Sequence, residues 1–186
     1  MISLREVVAS LYGAWRLACF DRSALGYFDA TPEGFWRSFF AAALIVPFDF
    51  SAVLLARDEP LPDDLLHFAL GYLVVYVLSW LVWPLAAVYL ARMLGRASAL
   101  PIYLTAHNWA QAPAALFQLI VIVLALGFFP AQTLAAARIS FFVILVYEGF
   151  IASVALRIDR IVAAGVVGAY FVISYMLALI AVYVMH

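Results

Sequence analysis

Residues 101–129, PIYLTAHNWAQAPAALFQLIVIVLALGFF, decide the fold. They contain no Asp, Glu, Lys or Arg. At about 1.5 Å per residue, a helix of this length crosses the roughly 30 Å apolar core of a bilayer. Its first half carries a polar run, His107-Asn108-Trp109-Ala110-Gln111-Ala112-Pro113. Polar groups exposed to lipid are costly, so such a cluster must face protein or a water-filled cavity. At about 100° per residue, His107, Gln111, Ala114 and Gln118 fall within an arc of about 60°. The sequence therefore predicts a membrane helix with one small, polar stripe covered by other helices. That stripe could simply join helices, at about 0.6–2 kcal/mol per interhelical hydrogen bond. It could equally hold a ligand, an ion or a proton.

The rest of the chain supports a membrane bundle. Of its 186 residues, 69% are hydrophobic and 11% charged, with a mean hydropathy of +1.10. Ordinary globular usage is about half apolar, and a chain this size cannot bury such an excess in a soluble core. Runs of about 20 apolar residues recur along it, as in a polytopic helical protein. Alternating segments of a transmembrane barrel are not visible. The net charge of −1 gives no electrostatic case for nucleic acid. Cys19 is the only cysteine, which excludes an internal disulfide and a cysteine metal cluster. Every basic residue is Arg, a bias that, with abundant Ala, points to a GC-rich bacterial genome. Arg5 and Glu6 interrupt the N-terminus, so no signal peptide is expected.

In chain order, residues 2–20 place Leu4, Val8, Leu11 and Trp15 at helical spacing beside a stripe of Arg5, Ala9, Tyr12 and Arg16. This predicts an amphipathic helix, either lying in the membrane interface or docked on the rim of the bundle. Thr31-Pro32-Glu33 is a helix start, with Thr as N-cap and Pro at the first position. Five spans follow, at about 35–56, 65–91, 101–129, 137–156 and 161–185, in one all-α membrane domain covering 1–186. Pro47 is expected to kink the first span. The polar stretch Arg57-Asp58-Glu59-Pro60-Leu61-Pro62-Asp63-Asp64 is a loop. Ala164, Gly165 and Gly168 in the fifth span form a small-residue patch suited to close helix packing. Arg counts set the orientation: a cytoplasmic N-terminus places eight of the ten Arg residues inside and leaves Arg57 and Arg138 outside. The expectation is N-terminus in, C-terminus out, in a bacterial cytoplasmic membrane.

Two carboxylates, Asp49 and Glu148, lie inside spans, and each is a candidate site by its location alone. Counting residues from the helix ends, Glu148 can meet His107 and Gln111 at one level, giving a ligand or proton site with Asn108 and Gln118 nearby. Asp49 shares a stripe with Ser38, Ala42, Ala52 and Ala56, and Arg138 could reach down to it as an intramembrane ion pair. The plainer alternative is a neutral Glu148 bonded to an amide and an Asp49–Arg138 pair that fixes register. Enzyme signatures fail: no Gly-rich phosphate loop, no H-E-x-x-H and no G-x-S-x-G are present. His67, His107 and His186 lack metal spacing. Ser140, Ser153 and Ser174 are ordinary packing residues for such helices. No catalytic residue, metal or cofactor is expected.

Pro32-Glu33-Gly34-Phe35-Trp36, leading into the first span, and Asn108-Trp109-Ala110-Gln111-Ala112-Pro113 in the third resemble motifs of the bacterial branch of the Yip family, the Rab-GTPase-interacting-protein membrane domain. The resemblance covers about residues 14–184. It implies a cytoplasmic lead-in, five closely spaced spans and an external C-terminus, in a non-enzymatic protein of trafficking, membrane-shaping or scaffolding type. The long acidic extension of eukaryotic members has no counterpart here, and a GTPase partner is not expected. Two functional expectations follow. The first is a small integral membrane protein acting through lipid, other membrane proteins or itself, as a scaffold or accessory subunit. The second is a small transporter, or the substrate-binding subunit of one, with a polar site between the third and fourth spans. Whether Glu148, His107 and Gln111 meet at a cavity or in a dry interface separates them.

Overall fold

Ser3 caps the first helix, its hydroxyl accepting the Glu6 N–H at 3.1 Å, and α1 runs Leu4–Ala18. The computed structural model describes residues 2–57 and 63–185, which are helical with short connections and contain no strand. Residues 58–62 of the expected loop, and His186, lie outside the described residues. α1 docks on the bundle through its small face, Ser10, Gly13, Ala14 and Leu17, all buried. The Tyr147 hydroxyl donates to the Ala14 carbonyl at 2.8 Å. The row that read as its apolar face points the other way, with Leu4 80% and Trp15 61% exposed. Small residues make the contact because they let backbones approach. A Cβ on Gly13 would stand 2.8 Å from the Tyr27 Cβ. The outward row of Leu4, Val8 and Trp15 suits a membrane–water interface.

Thr31 caps α2 (Pro32–Ser38), and α3 (Phe40–Leu55) continues the same span after an interruption at Phe39. Continuity from 35 to 56 was expected, with Pro47 as the irregular point. Pro47 sits inside α3, and the break falls one turn after Phe35. The Ser38 hydroxyl donates to the Phe35 carbonyl at 2.6 Å, and Phe39 N–H bonds the Trp36 carbonyl in a tightened turn. α4 runs Leu65–Met93 behind an Asp64 cap, α5 Leu100–Phe128, α6 Thr133–Ala155 and α7 Arg160–Met185. Among the described residues five helices, counting α2–α3 as one, are long and apolar enough to cross a membrane, so this is a multi-pass membrane protein. The fourth span begins about a turn earlier than expected, at Thr133, whose hydroxyl donates to the Pro130 carbonyl.

The turns are sharply made. Gly95 follows α4 at φ +66°, with Arg96 N–H bonding the Ala91 carbonyl and Gly95 N–H the Arg92 carbonyl. That pair of bonds is a Schellman closure. Arg157 closes α6 in the same left-handed conformation, at φ +53°. Asp159 then caps α7 by accepting from Ile161 and Val162.

α5 is the central helix: α1, α2, α3, α4 and α6 all pack on it, while α7 packs on α4 and α6. Alanines occupy the close contacts, with Ala41, Ala106, Ala110, Ala152 and Ala155 fully buried. α7 approaches α4 at Gly71, where a Cβ would sit 3.0 Å from the Val184 carbonyl oxygen. The patch Ala164, Gly165 and Gly168 does not take part. These three residues are exposed, and Cβ atoms at the two glycines would meet open space. Inside the bundle α7 uses Ala163 and Val166 instead.

Candidate functional site

The polar stripe of α5 meets Glu148 of α6. His107 Nδ1 lies 2.8 Å from Glu148 Oε2, and Gln111 Nε2 donates to Glu148 Oε1 at 2.7 Å. The Gln111 amide also stands 3.5 Å from His107 Nε2, so the three side chains form one closed cluster. Glu148 is 2% exposed. Both its oxygens are engaged by helix α5, one turn apart, which is why the pair at i and i+4 reaches a single carboxylate. Aromatic rings enclose the imidazole: Tyr170 at 5.5 Å and Trp83 at 5.9 Å between centroids, with Tyr103 behind.

The other named residues divide. Asn108 points toward the first span, its amide donating to Ser38 Oγ at 2.8 Å at the α2–α3 break. Gln118 joins α5 to the start of α6: its amide donates to the Ala137 carbonyl and its oxygen accepts from the Ser140 hydroxyl. The expected Asp49–Arg138 pair does not form. Asp49 Oδ2 accepts from the Tyr72 hydroxyl at 2.9 Å, and Arg138 is exposed without a partner among the described residues. The reason is that α4 covers Asp49 from the side, placing a neutral phenol in reach, while Arg138 faces out of the bundle.

His107, Gln111, Gln118 and Asp49 border a common cavity of about 500 Å³. All five spans contribute to its wall, through Ile45 and Asp49 of α3, Tyr76 and Trp80 of α4, the α5 stripe, Ile144 of α6, and Tyr170 and Ser174 of α7. No Arg is among the described lining residues. Trp83, which also lines it, has its indole N–H buried on the side of the Tyr103 hydroxyl. The aromatic wall lies outside the polar stripe and the intramembrane carboxylates that mark the site in the sequence. Its signal on α4 is Tyr76 and Trp80, which continue a row of aromatics at every fourth residue from Phe68 and Tyr72.

No protein-family model, curated protein or solved structure matches this chain. Geometry alone bears on its chemistry. Among the described residues no group of three or more His, Cys, Asp or Glu side chains is gathered to hold a metal ion. The cluster can hold and exchange a proton between His107 and Glu148, with Gln111 fixing the carboxylate. The cavity beside it can hold a solute.

At the start of the first span, ionic contacts tie α1 to the bundle. Arg37 of α2 pairs with Glu6 of α1 at 2.8 Å and also with Asp29. Asp29 is held below its ordinary carboxylate value first by hydrogen bonds from Thr31 and then by the Arg37 guanidinium. Asp21 is likewise lowered, by Ser23 and by Arg16, with which it pairs.

Proposed function

We propose that this chain is a small, non-enzymatic, bacterial inner-membrane protein that takes a polar solute into the cavity between its spans, as a transporter or the binding subunit of one. The carrying observation is the cavity of about 500 Å³ bordered by Asp49, His107, Gln111 and Gln118. That volume lies within the range of small-molecule sites, about 300–1,000 Å³. A purely structural cluster would be packed against apolar neighbours, with no space beside it. Arg placement supports a cytoplasmic N-terminus and an external C-terminus.

The second reading, a scaffold or accessory subunit acting through protein or lipid partners, is favoured by Ala164, Gly165 and Gly168. They lie exposed on the outer face of α7, where a helix of another chain could approach closely. The Yip-like motifs lean the same way.

Purification from native membranes in a maltoside detergent, followed by native mass spectrometry, separates the two. The solute reading expects a monomer or homo-oligomer carrying a small molecule, which is lost in a folded Ala114→Trp variant that fills the cavity. A particle containing other membrane proteins and no small molecule would replace it with the scaffold reading.

A further inference from the structure

We propose that the solute is a small organic cation of ammonium type, with Asp49 as its counter-charge and Tyr76, Trp80 and Tyr170 as its aromatic walls. This rests on reading the cavity as a solute site. Among the described lining residues Asp49 is the one carboxylate, and no guanidinium borders the cavity to neutralise it. One of its oxygens accepts from Tyr72, and the other accepts no hydrogen bond from a described residue. Behind the wall, Glu148 adds a second acidic group, linked to the cavity through His107 and Gln111. An anionic solute would find no Arg to pair with among the described lining residues and would lie beside a carboxyl group where charge is poorly screened. A metal ion would find too few protein ligands, since hard cations take six or more oxygen ligands and the described residues gather no acidic cluster here.

The aromatic wall decides the class of cation. Tyr76 and Trp80 lie 6.1 Å apart between centroids on α4, and Trp83 lies 5.0 Å from Tyr170 of α7. Ring faces attract cations, and weakly hydrated ammonium groups are the ligands that aromatic cages recognise. A strongly hydrated inorganic ion would gain little from these rings and would leave most of the cavity unused. Gln111, Gln118 and Ser174 offer hydrogen bonds to a polar end of the same solute.

The test uses the full chain in maltoside micelles, with tetramethylammonium, choline and tetraethylammonium as cationic probes. The neutral carbon isostere of choline, 3,3-dimethylbutan-1-ol, and acetate are the comparators. Binding is read by calorimetry and by quenching of tryptophan fluorescence. The expected result is saturable binding of at least one cation, at least tenfold tighter than the isostere, with none of acetate. Asp49→Asn should weaken it at least tenfold, and Trp80→Leu several-fold, with unfolding temperatures near that of the parent. If Asp49→Asn does not fold, Asp49→Glu, which keeps the charge, should retain the preference for cation over isostere. Equal binding of the isostere, or unchanged affinity in a folded Asp49→Asn protein, overturns the cation assignment and leaves the cavity reading standing. No saturable binding of any of the three cations also overturns it. The cavity reading is then judged separately by whether a solute co-purifies.

Discussion

Glu148→Ala removes the acceptor on which two helix α5 side chains converge. Its side chain is 3% exposed, and its oxygens lie 2.8 Å from His107 Nδ1 and 2.7 Å from Gln111 Nε2. In a dry core, leaving each of two hydrogen-bonding groups unpaired costs about 1–3 kcal/mol, or about 2–6 in all. Interhelical hydrogen bonds measured in membrane proteins are weaker, averaging about 0.6 and reaching about 1.7 kcal/mol, or about 1–3 for two. The lower range governs here, because a cavity of about 500 Å³ beside Gln111 has room for water to take up the freed amide. We expect Glu148→Ala to cost about 2 kcal/mol, and Glu148→Gln, which keeps one acceptor oxygen, about half that. Reversible unfolding in mixed micelles of maltoside and dodecyl sulfate measures both. A double-mutant cycle with His107→Ala should show coupling of about 1 kcal/mol. Additive single effects, or a Glu148→Ala protein as stable as the parent, would refute the reasoning that this carboxylate is the organising acceptor of the cluster.

Arg157 holds a left-handed conformation that costs a non-glycine residue about 1–2 kcal/mol. Arg157→Gly should therefore raise stability by about 1 kcal/mol, and Gly95→Ala at the equivalent turn should lower it by about as much, both read by the same unfolding assay. Because Asp29 and Asp21 are held below their ordinary value of 3.8, the stability they contribute is present above that value and lost as pH falls from it through their lower folded-state values. A fluorophore on the exposed Cys19 should thus report loosening of α1 below about pH 4. An Asp29→Asn protein should be looser at neutral pH and change less on acidification; equal acid response in both would contradict the assignment. The same thiol reports orientation. In intact cells a membrane-impermeant maleimide should fail to label Cys19, and efficient labelling would reverse the proposed topology.

The meeting of His107, Gln111 and Glu148 was legible because helical spacing fixes a face and residue counting fixes a depth. Both quantities are properties of a single helix. What they leave out is which helix stands alongside, and the departures have that origin. Asp49 was set opposite Arg138, the nearest opposite charge by depth, whereas α4 brings Tyr72, a neutral donor that a search among charges passes over. Ala164, Gly165 and Gly168 announce a face that admits close approach without saying that this chain supplies the partner. The break at Phe39 has no Gly or Pro to mark it; its signal is Ser38, whose hydroxyl bonds back to Phe35 and also accepts from Asn108. α1 was read by its large residues, whereas contact is made by Gly13 and Ala14 because they are small.

The cavity follows from the same contrast in side-chain size. α5 meets α3 and α6 closely through alanine and serine. Between α3 and α4 the fillers are rings: Phe50 packs on Tyr72 at 4.8 Å and on Phe68 at 6.1 Å, and Phe39 on Trp80 at 6.2 Å. Those rings hold α4 off, and Tyr76 fixes the distance by donating its hydroxyl across the gap to the Ala42 carbonyl at 2.7 Å. α7 follows α4 through Gly71 and so stands away from α5. Without the aromatic ladder, α4 and the α7 that packs on it would stand closer to α5, and less of the polar stripe would stay open. Four bulky residues at a spacing of four thus set the distance between helices, and the α5 stripe supplies the polar chemistry of the wall they leave open.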